Sequence, residues 1–367
     1  MSTPAQALSY CCPVSGELLS WRPLSDAATL SDGRALPVGS THLLSSGDGR
    51  SVYPVIDGFP QLLEDAALRA PTENRLPPSR LAEVNDEVGM YDGIALSELS
   101  DVESAARRML GAALLARFRG RSSGPSLDDF PEPLALWVDS NGSSDTGYEA
   151  YRFLAPLGGR VFLQFGGSGS HAIKALLGGA RLVALLSPSQ GELRLGRAVA
   201  AHLGLGDRFI GIRGVGERIP LATESIDRIY GGGCLHHTDI RESVPELSRV
   251  LARGGRASFV DPRVNPIYGT WGKLFGGLRF CGAEEDAHDH PLVEAELEKL
   301  GRGAGVEMSF YASGGPLRYG VVLLDRAARI HVPPSITNRI FRAERSLLAR
   351  AHLSGLFGNM AVMMSRR

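Results

Sequence analysis

An apolar run in the middle of this chain ends in a cluster of glycines and is followed by a helical pattern. Residues 158–170 read Gly-Gly-Arg-Val-Phe-Leu-Gln-Phe-Gly-Gly-Ser-Gly-Ser. Glycine lets the backbone approach a ligand closely and leaves the first amides of the next helix pointing at it. The order strand, glycine-rich turn, helix therefore predicts a nucleotide-like ligand, although a tight connection that needs positive φ explains the same residues without one.

Strand-like and helix-like runs alternate from this turn to Asp261. The predicted strands are 160–165, 181–186, 209–212, 226–230 and 256–260, and the predicted helices are 171–177, 190–203 and 241–251. Such alternation predicts an α/β fold in which parallel strands are joined by right-handed helical crossovers. A ligand of such a sheet lies beyond the carboxyl ends of the strands, where the strand order reverses.

Composition narrows the function classes. The chain has 367 residues, 43% of them hydrophobic, and 39 Lys plus Arg balance 40 Asp plus Glu. This balance gives no strong field for nucleic acid, so a small-molecule substrate is favoured. No apolar run is long enough for a membrane span, and the first residues lack the pattern of an export signal, so we expect a cytoplasmic protein.

Two segments near the end of the alternating region carry a family resemblance. One is the strand around Asp227 followed by Leu235-His236-His237, and the other is the helix-to-strand segment 247–261. Together with the glycine turn they resemble a class I S-adenosylmethionine-dependent methyltransferase. The resemblance implies a Rossmann-like sheet of seven strands with helices on both faces, and S-adenosyl-L-methionine as cofactor.

The resemblance also assigns cofactor-binding residues to the loops after the first four core strands. They are Gln164, Gly166, Gly167, Ser168, Gly169, Leu186, Ser187, Val215, Gly216, Glu217, Gly232 and Cys234. Three of these positions, Gln164, Leu186 and Val215, are acidic in the family pattern. Because each charge-assisted hydrogen bond contributes about 1.5 to 3 kcal/mol, their loss weakens the cofactor site unless other groups replace them.

Two functions therefore stay open. The first is methyl transfer to a small molecule, such as a natural-product or lipid-like acceptor. The second is a protein of the same fold whose degenerate cofactor site no longer supports methylation, and which serves as a binding partner or catalyses another reaction in the pocket. The sequence has no phosphate loop and no nucleophile elbow, which disfavours kinases and hydrolases.

Histidines and aromatic residues supply the remaining candidates. His236 or His237 is the predicted base if the acceptor must lose a proton, although a structural loop is the simpler role for both. Tyr91, Tyr268 and Trp271 are the predicted substrate walls. His288 and His290 lie in an acidic segment that could bind a metal, but the resemblance favours a plain loop and we predict no metal.

The first seventy residues differ from the rest because Pro and Gly recur among short strand-like runs. Cys12-Pro13-Val14-Ser15 and the segment 53–60 resemble the small zinc-ribbon-type companion domain of methyltransferases. Ser15 stands where that pattern has its second cysteine, and tetrahedral zinc needs four good ligands. We therefore expect a metal-free β-rich module, through which a homodimer or a partner protein could dock.

The patterns divide the chain into four parts. Residues 1–70 form the small β-rich domain, and residues 71–150 form a linker and a helical lid. Residues 151–263 form the methyltransferase-like core. Residues 264–367 contain a substrate-side insertion, the last strands and a C-terminal helical tail.

Overall fold

The computed structural model describes residues 4–24, 35–111, 145–263, 292–313 and 359–367, with short pieces between 317 and 350. Tyr268, Trp271, His288 and His290 lie outside the described residues. The described strands belong to two sheets, one at the N-terminus and one in the centre of the protein. The predicted fold class, a Rossmann-like sheet with a small N-terminal β-rich region, is confirmed.

The N-terminal sheet has five antiparallel strands in chain order. They are β1 (Tyr10–Cys11), β2 (Leu18–Pro23), β3 (Ser40–Ser46), β4 (Val52–Ile56) and β5 (Phe59–Pro60). Asp57 and Gly58 join β4 to β5 with φ values of 52° and 79°. Two successive residues with positive φ form the tight hairpin turn that an Asp-Gly pair favours.

The central sheet has seven strands. They are β6 (Val161–Phe165), β7 (Leu182–Ser187), β8 (Phe209–Arg213), β9 (Ile226–Gly232), β10 (Leu251–Pro262), β11 (Val306–Ser313) and β12 (Asn359–Arg366). Their spatial order is β11-β12-β10-β9-β6-β7-β8, and β6 to β10 run parallel to one another. The chain moves outward from β6 to β8 and then returns to β9, so the order reverses between β6 and β9.

Seven α-helices with complete bounds among the described residues accompany these sheets. They are α1 (Pro78–Glu98), α2 (Val102–Leu110), α3 (Asp145–Leu154), α4 (Ser170–Leu177), α5 (Gln190–His202), α6 (Ile240–Val250) and α7 (Glu294–Gly303). Helix α1 begins directly at Pro78, a residue suited to the first helical turn because it lacks an amide proton. Its partner α5 packs beneath it, so α1 lies over the carboxyl ends of β6 and β7.

The C-terminus contains a strand that the sequence did not predict. We expected a helical tail, and the residues described between 339 and 350 are helical, but the last described residues form β12, which lies between β10 and β11 and is antiparallel to both. Met360, Val362 and Met364 on this strand are buried in the apolar core. Residues 360–364 are apolar throughout, as is typical of a short strand that is buried on both faces, and this run is the signal that the prediction missed.

The N-terminal sheet packs against the edge of the central sheet. Gln61, just after β5, pairs with Arg213 at the end of β8, and the Leu62 amide donates to the Arg213 carbonyl at 2.8 Å. The Arg197 guanidinium on α5 lies 3.9 Å from the centre of the Phe59 ring. The exposed backbone of an edge strand invites pairing with other chains, and β5 covers it here. Because both sheets also share one apolar cluster, the boundary at residue 70 stays a prediction.

Candidate functional site

A cavity of about 320 Å³ opens at the point where the strand order reverses. Its floor comes from the loops after β6, β7, β8 and β9, and its roof comes from α1. This is where ligands bind in open α/β sheets, and the volume is at the lower end of the range for small-molecule pockets. Of the predicted cofactor residues, the lining contains Gly166, Gly167, Leu186, Ser187, Val215, Gly216, Glu217, Gly232 and Cys234.

The glycine turn forms one wall of the cavity. Gly166 and Gly167 have φ values of 73° and 76°, in the left-handed region that favours glycine. A Cβ atom at Gly166 would lie 2.6 Å from the Cys234 sulfur, which is closer than real atoms approach. The Gly166 amide donates to the Leu186 carbonyl at 2.8 Å, which ties the turn to the end of β7.

Three predicted cofactor residues lie behind this wall instead of on it. Gln164 donates from Nε2 to the Gly166 carbonyl at 2.8 Å and accepts from the Ala172 amide at 2.7 Å. It therefore holds the turn against α4. Ser168 and Gly169 also lie outside the lining, and a Cβ at Gly169 would be 3.1 Å from the Gly196 Cα of α5. These three residues shape the turn, and direct contact with a cofactor stays a prediction for them.

Leu186 and Val215 form an apolar wall. They are 2% and 6% exposed, and both line the cavity. A Cβ at Gly214 would lie 2.9 Å from the Leu186 Cδ1 atom, so Gly214 leaves room for this leucine. The cavity remains open although its wall is apolar at the two positions where the family pattern places acids.

Glu217 brings a buried carboxylate to the same cavity. Its Oε1 atom accepts from Arg80 Nε at 2.7 Å and from the Asp239 amide at 3.1 Å. Among the described residues, none hydrogen-bonds to its buried Oε2 atom. Arg80 also donates to the His237 carbonyl at 2.6 Å, so it fastens α1 to the loops after β8 and β9.

Glu192 is a second carboxylate in the lining, and the sequence patterns did not single it out. It lies in the first turn of α5, and its Oε2 atom accepts from the Ser187 hydroxyl at 2.7 Å. Burial raises the pKa of Glu192 to about 7, with the Ser187 hydrogen bond lowering it and the nearby Asp92 raising it further. The group can therefore change charge near neutral pH.

The two histidines that follow β9 occupy different positions. His237 lines the cavity, and its Nδ1 atom lies 3.5 Å from Glu87 Oε1 on α1. His236 is buried outside the lining, and its Nδ1 atom lies 2.7 Å from Asp261 Oδ1 at the end of β10. Because the two rings are 4.0 Å apart, His236 and Asp261 support His237 from behind.

A second cavity of about 580 Å³ adjoins the first. The two cavities share four lining residues, which are Arg80, Glu217, His237 and Thr238. The rest of its lining includes apolar residues and two ion pairs, Arg218 with Glu242 and Arg241 with Glu296. His237 and Glu217 thus stand at the junction of two adjacent spaces.

Tyr91 and Cys234 were also predicted as site residues, and both line the first cavity. Tyr91 lies on α1. Cys234 donates from its sulfur to the Gly232 carbonyl at 3.2 Å, and burial raises the pKa of this thiol. The part of the chain that the structure describes contains no group of three or more metal-ligating side chains. No helix there is long and apolar enough to cross a bilayer.

Comparisons with known proteins identify the core. The strand order and the glycine turn define the class, a Rossmann-like α/β domain with its ligand site at the switch point. The family model described as a methyltransferase domain matches residues 163–259. This part of the chain is therefore similar to methyltransferase domains. A search of the curated proteins finds no match to the chain.

Three solved structures are similar at low identity. Geranyl diphosphate C-methyltransferase from Streptomyces coelicolor A3(2) is 16% identical over 66% of this chain and 86% of that chain, with a TM-score of 0.45. Phosphoethanolamine N-methyltransferase 2 from Haemonchus contortus is 13% identical over 68% and 61%, with a TM-score of 0.42. The [4+2]-cyclase SpnF is 16% identical over 72% and 96%, with a TM-score of 0.41. The assignment of the core rests on the family match alone.

Proposed function

We propose that this protein transfers a methyl group from S-adenosyl-L-methionine to a small-molecule acceptor. The observation that carries the proposal is the open cavity at the switch point of a methyltransferase domain. Its wall combines the glycine turn at Gly166 and Gly167 with the carboxylates of Glu87, Glu192 and Glu217.

The residues present fit such a cofactor. Left-handed glycines bring the main chain next to the ligand without a side chain in between. The lining contains three carboxylates against the single guanidinium of Arg80, which is itself paired with Glu217 and Glu83. A surplus of negative charge in a partly dry cleft favours a cationic ligand, and the sulfonium carries a positive charge.

Glu217 is the proposed partner of the adenine amino group. Its Oε2 atom is buried without a hydrogen-bond partner among the described residues, and an unsatisfied buried acceptor costs about 1 to 3 kcal/mol. A donor on the ligand would remove that cost. Glu217 is two residues beyond Val215, so it can supply the acid that is missing there.

Bound in this cavity, S-adenosyl-L-methionine would supply an electrophilic methyl group on a positively charged sulfur. The protein contributes position, because holding two reactants about 3 to 3.5 Å apart in line removes much of the barrier. The second cavity is the proposed acceptor space, since it meets the first at His237 and Thr238. Tyr91, a predicted substrate wall, lines the first of these two cavities and not the second.

His237 is the proposed base for an acceptor that must lose a proton. It lines both cavities, and a carboxylate beside an imidazole stabilises the charge that the ring gains. His236 is a positioning residue in this proposal, because its Nδ1 atom is engaged by Asp261 and its ring packs at a tilt against the ring of His237.

Thermal denaturation with and without S-adenosylhomocysteine tests the proposal. A ligand at one hundred times its dissociation constant adds about 2.7 kcal/mol to the free energy of unfolding. We expect the melting temperature to rise with S-adenosylhomocysteine and to stay unchanged with ATP, whose triphosphate would meet an acidic wall.

The absence of any shift at millimolar S-adenosylhomocysteine would support the second candidate, a protein of this fold that no longer methylates. The apolar wall at Leu186 and Val215 is the observation that favours it. In that case the cavity would serve another ligand or another reaction.

A further inference from the structure

The carboxylate of Glu192 lines the cavity beside Leu186, a position at which the family pattern has an acid. The family pattern puts an acid at the end of the second core strand, where this chain has Leu186. Glu192 follows six residues later, in the first turn of α5, and its side chain lines the same cavity as Leu186 and Ser187.

Helix capping does not account for the Glu192 side chain. Ser189 caps α5 by accepting from the Glu192 amide at 3.1 Å, and a glutamate at this position commonly returns a bond to the capping residue's amide. Here that amide donates to the Ser187 hydroxyl at 3.1 Å instead. The Gly191 amide, in the same helical turn, donates to Asp92 Oδ1 at 2.7 Å.

The Glu192 carboxylate is thus left with one internal hydrogen bond, from the Ser187 hydroxyl to Oε2. Within the described part of the chain, no residue donates to its Oε1 atom. Burial raises the pKa of this carboxyl to about 7, and the neighbouring Asp92 adds to the rise. A charge that is held at a cost to stability, on the wall of a cavity, is typical of a functional group.

We propose that Glu192 binds the ribose hydroxyls of the cofactor and replaces the acid that is missing at Leu186. This role presupposes the proposed function. A carboxylate can accept from two vicinal hydroxyls at once, and an acid near this point of the fold is the usual partner of a ribose. Ser187 orients the carboxylate through Oε2 and leaves Oε1 to the ligand.

Proton release is a consequence of this role. Hydrogen bonds from ribose hydroxyls stabilise the charged carboxylate, so binding lowers the pKa of Glu192 from about 7. Near pH 7 the protein then releases part of a proton on binding, and its affinity rises between pH 6 and pH 8. Other titratable or charged groups that face Glu192 or share its cavity are Arg80, Glu87, Tyr91, Asp92, Glu217, Cys234 and His237.

Calorimetric titration with S-adenosylhomocysteine, adenosine and 2′-deoxyadenosine tests the role. The wild type is compared with Glu192→Gln and with Glu298→Gln, an exposed acid on α7 outside both cavities. We expect Glu192→Gln to weaken S-adenosylhomocysteine about 10- to 100-fold, and Glu298→Gln to leave the affinity unchanged. The wild type should prefer adenosine to 2′-deoxyadenosine, and Glu192→Gln should lose most of this preference.

The dependence of the binding heat on the buffer shows whether Glu192, and not His237, releases the proton on binding. At pH 7, the binding heat of the wild type should differ between phosphate and Tris, and this difference should shrink in Glu192→Gln.

The stability of the proteins without ligand provides a separate check on folding. Because the folded pKa of Glu192 lies above its unfolded value, the native state is penalised as pH rises through about 4.5 to 7. Glu192→Gln should therefore melt higher than the wild type at pH 8, with a smaller gain at pH 5.

The outcomes distinguish the two proposals. Equal affinity of wild type and Glu192→Gln for S-adenosylhomocysteine, with an unchanged preference for adenosine, would overturn the role of Glu192 and leave the proposed function intact. A wild type that binds no S-adenosylhomocysteine at millimolar concentration would overturn both.

Discussion

Two regions of the protein lack ligating residues that their sequence patterns would normally include. In the N-terminal sheet, Cys12 belongs to a pattern that resembles a metal site, and in the central sheet, Leu186 and Val215 belong to a pattern that resembles a cofactor site. Around Cys12, side chains of the protein fill the space. Its sulfur accepts from the Ser15 amide at 3.4 Å and the Ser51 hydroxyl at 3.2 Å, and lies 3.3 Å from the Tyr53 hydroxyl.

These contacts also set the ionisation of Cys12. Burial raises the pKa of the thiol, but the hydrogen bonds from Ser15, Ser51 and Tyr53 together hold it below its ordinary value. Around Leu186, in contrast, a cavity of about 320 Å³ remains open, and Glu192 and Glu217 line it with carboxylates. An open cavity that is lined by incompletely bonded carboxylates supports the proposed ligand site.

The largest effect that tests this contrast comes from a methyl group in the glycine turn. Gly166→Ala would place a side chain in the left-handed region, at about 1 to 2 kcal/mol, and 2.6 Å from the Cys234 sulfur, which adds about 1 to 3 kcal/mol. We expect chemical denaturation to show both losses and calorimetry to show loss of S-adenosylhomocysteine binding.

Gly204→Ala is the matched control for this change. Gly204 has a φ of 71°, but nothing lies within 4 Å of its added Cβ. This variant should lose only the first contribution to stability and should bind S-adenosylhomocysteine as the wild type does. Normal binding by Gly166→Ala would mean that the turn does not form the ligand site.

A substitution of Cys12, whose surroundings are filled, should have a smaller effect on stability. Cys12→Ala would leave the Ser51 and Tyr53 hydroxyls without their buried sulfur partner, so we expect a loss of about 1 to 3 kcal/mol in the free energy of unfolding. Cys12→Ser keeps an acceptor there and should lose less.

Adding zinc tests whether the region around Cys12 binds a metal. Added zinc should leave the melting temperature of the wild type unchanged, because hydroxyls surround the single thiolate ligand. A zinc-dependent rise in melting temperature that Cys12→Ala abolishes would show that the two regions do not differ as described.

The sequence predicted the backbone of the site better than its side chains. Strand periodicity and the glycines at 166 and 167 placed the sheet and the turn, because these features follow from local conformational preferences. Glu192 escaped notice because Ser189 and Glu192 have the spacing of a helix cap, which explains a glutamate without any ligand.

Long-range pairing was also beyond local patterns. Arg80 and Glu217 are far apart in the sequence, so no local pattern predicts their contact. Arg80 Nε donates to Glu217 Oε1 at 2.7 Å and thereby joins the roof of the cavity to its floor. Likewise, both histidines after β9 have the same local signal, and only the packing against Asp261 and Glu87 separates their positions.

A crystal structure of the protein grown with excess S-adenosylhomocysteine would show whether the cavity holds the cofactor. We expect an adenosyl group in the cavity between α1 and the glycine turn, with its ribose hydroxyls within hydrogen-bond distance of Glu192. An empty cavity, or one closed by Leu186 and its neighbours, would contradict this expectation.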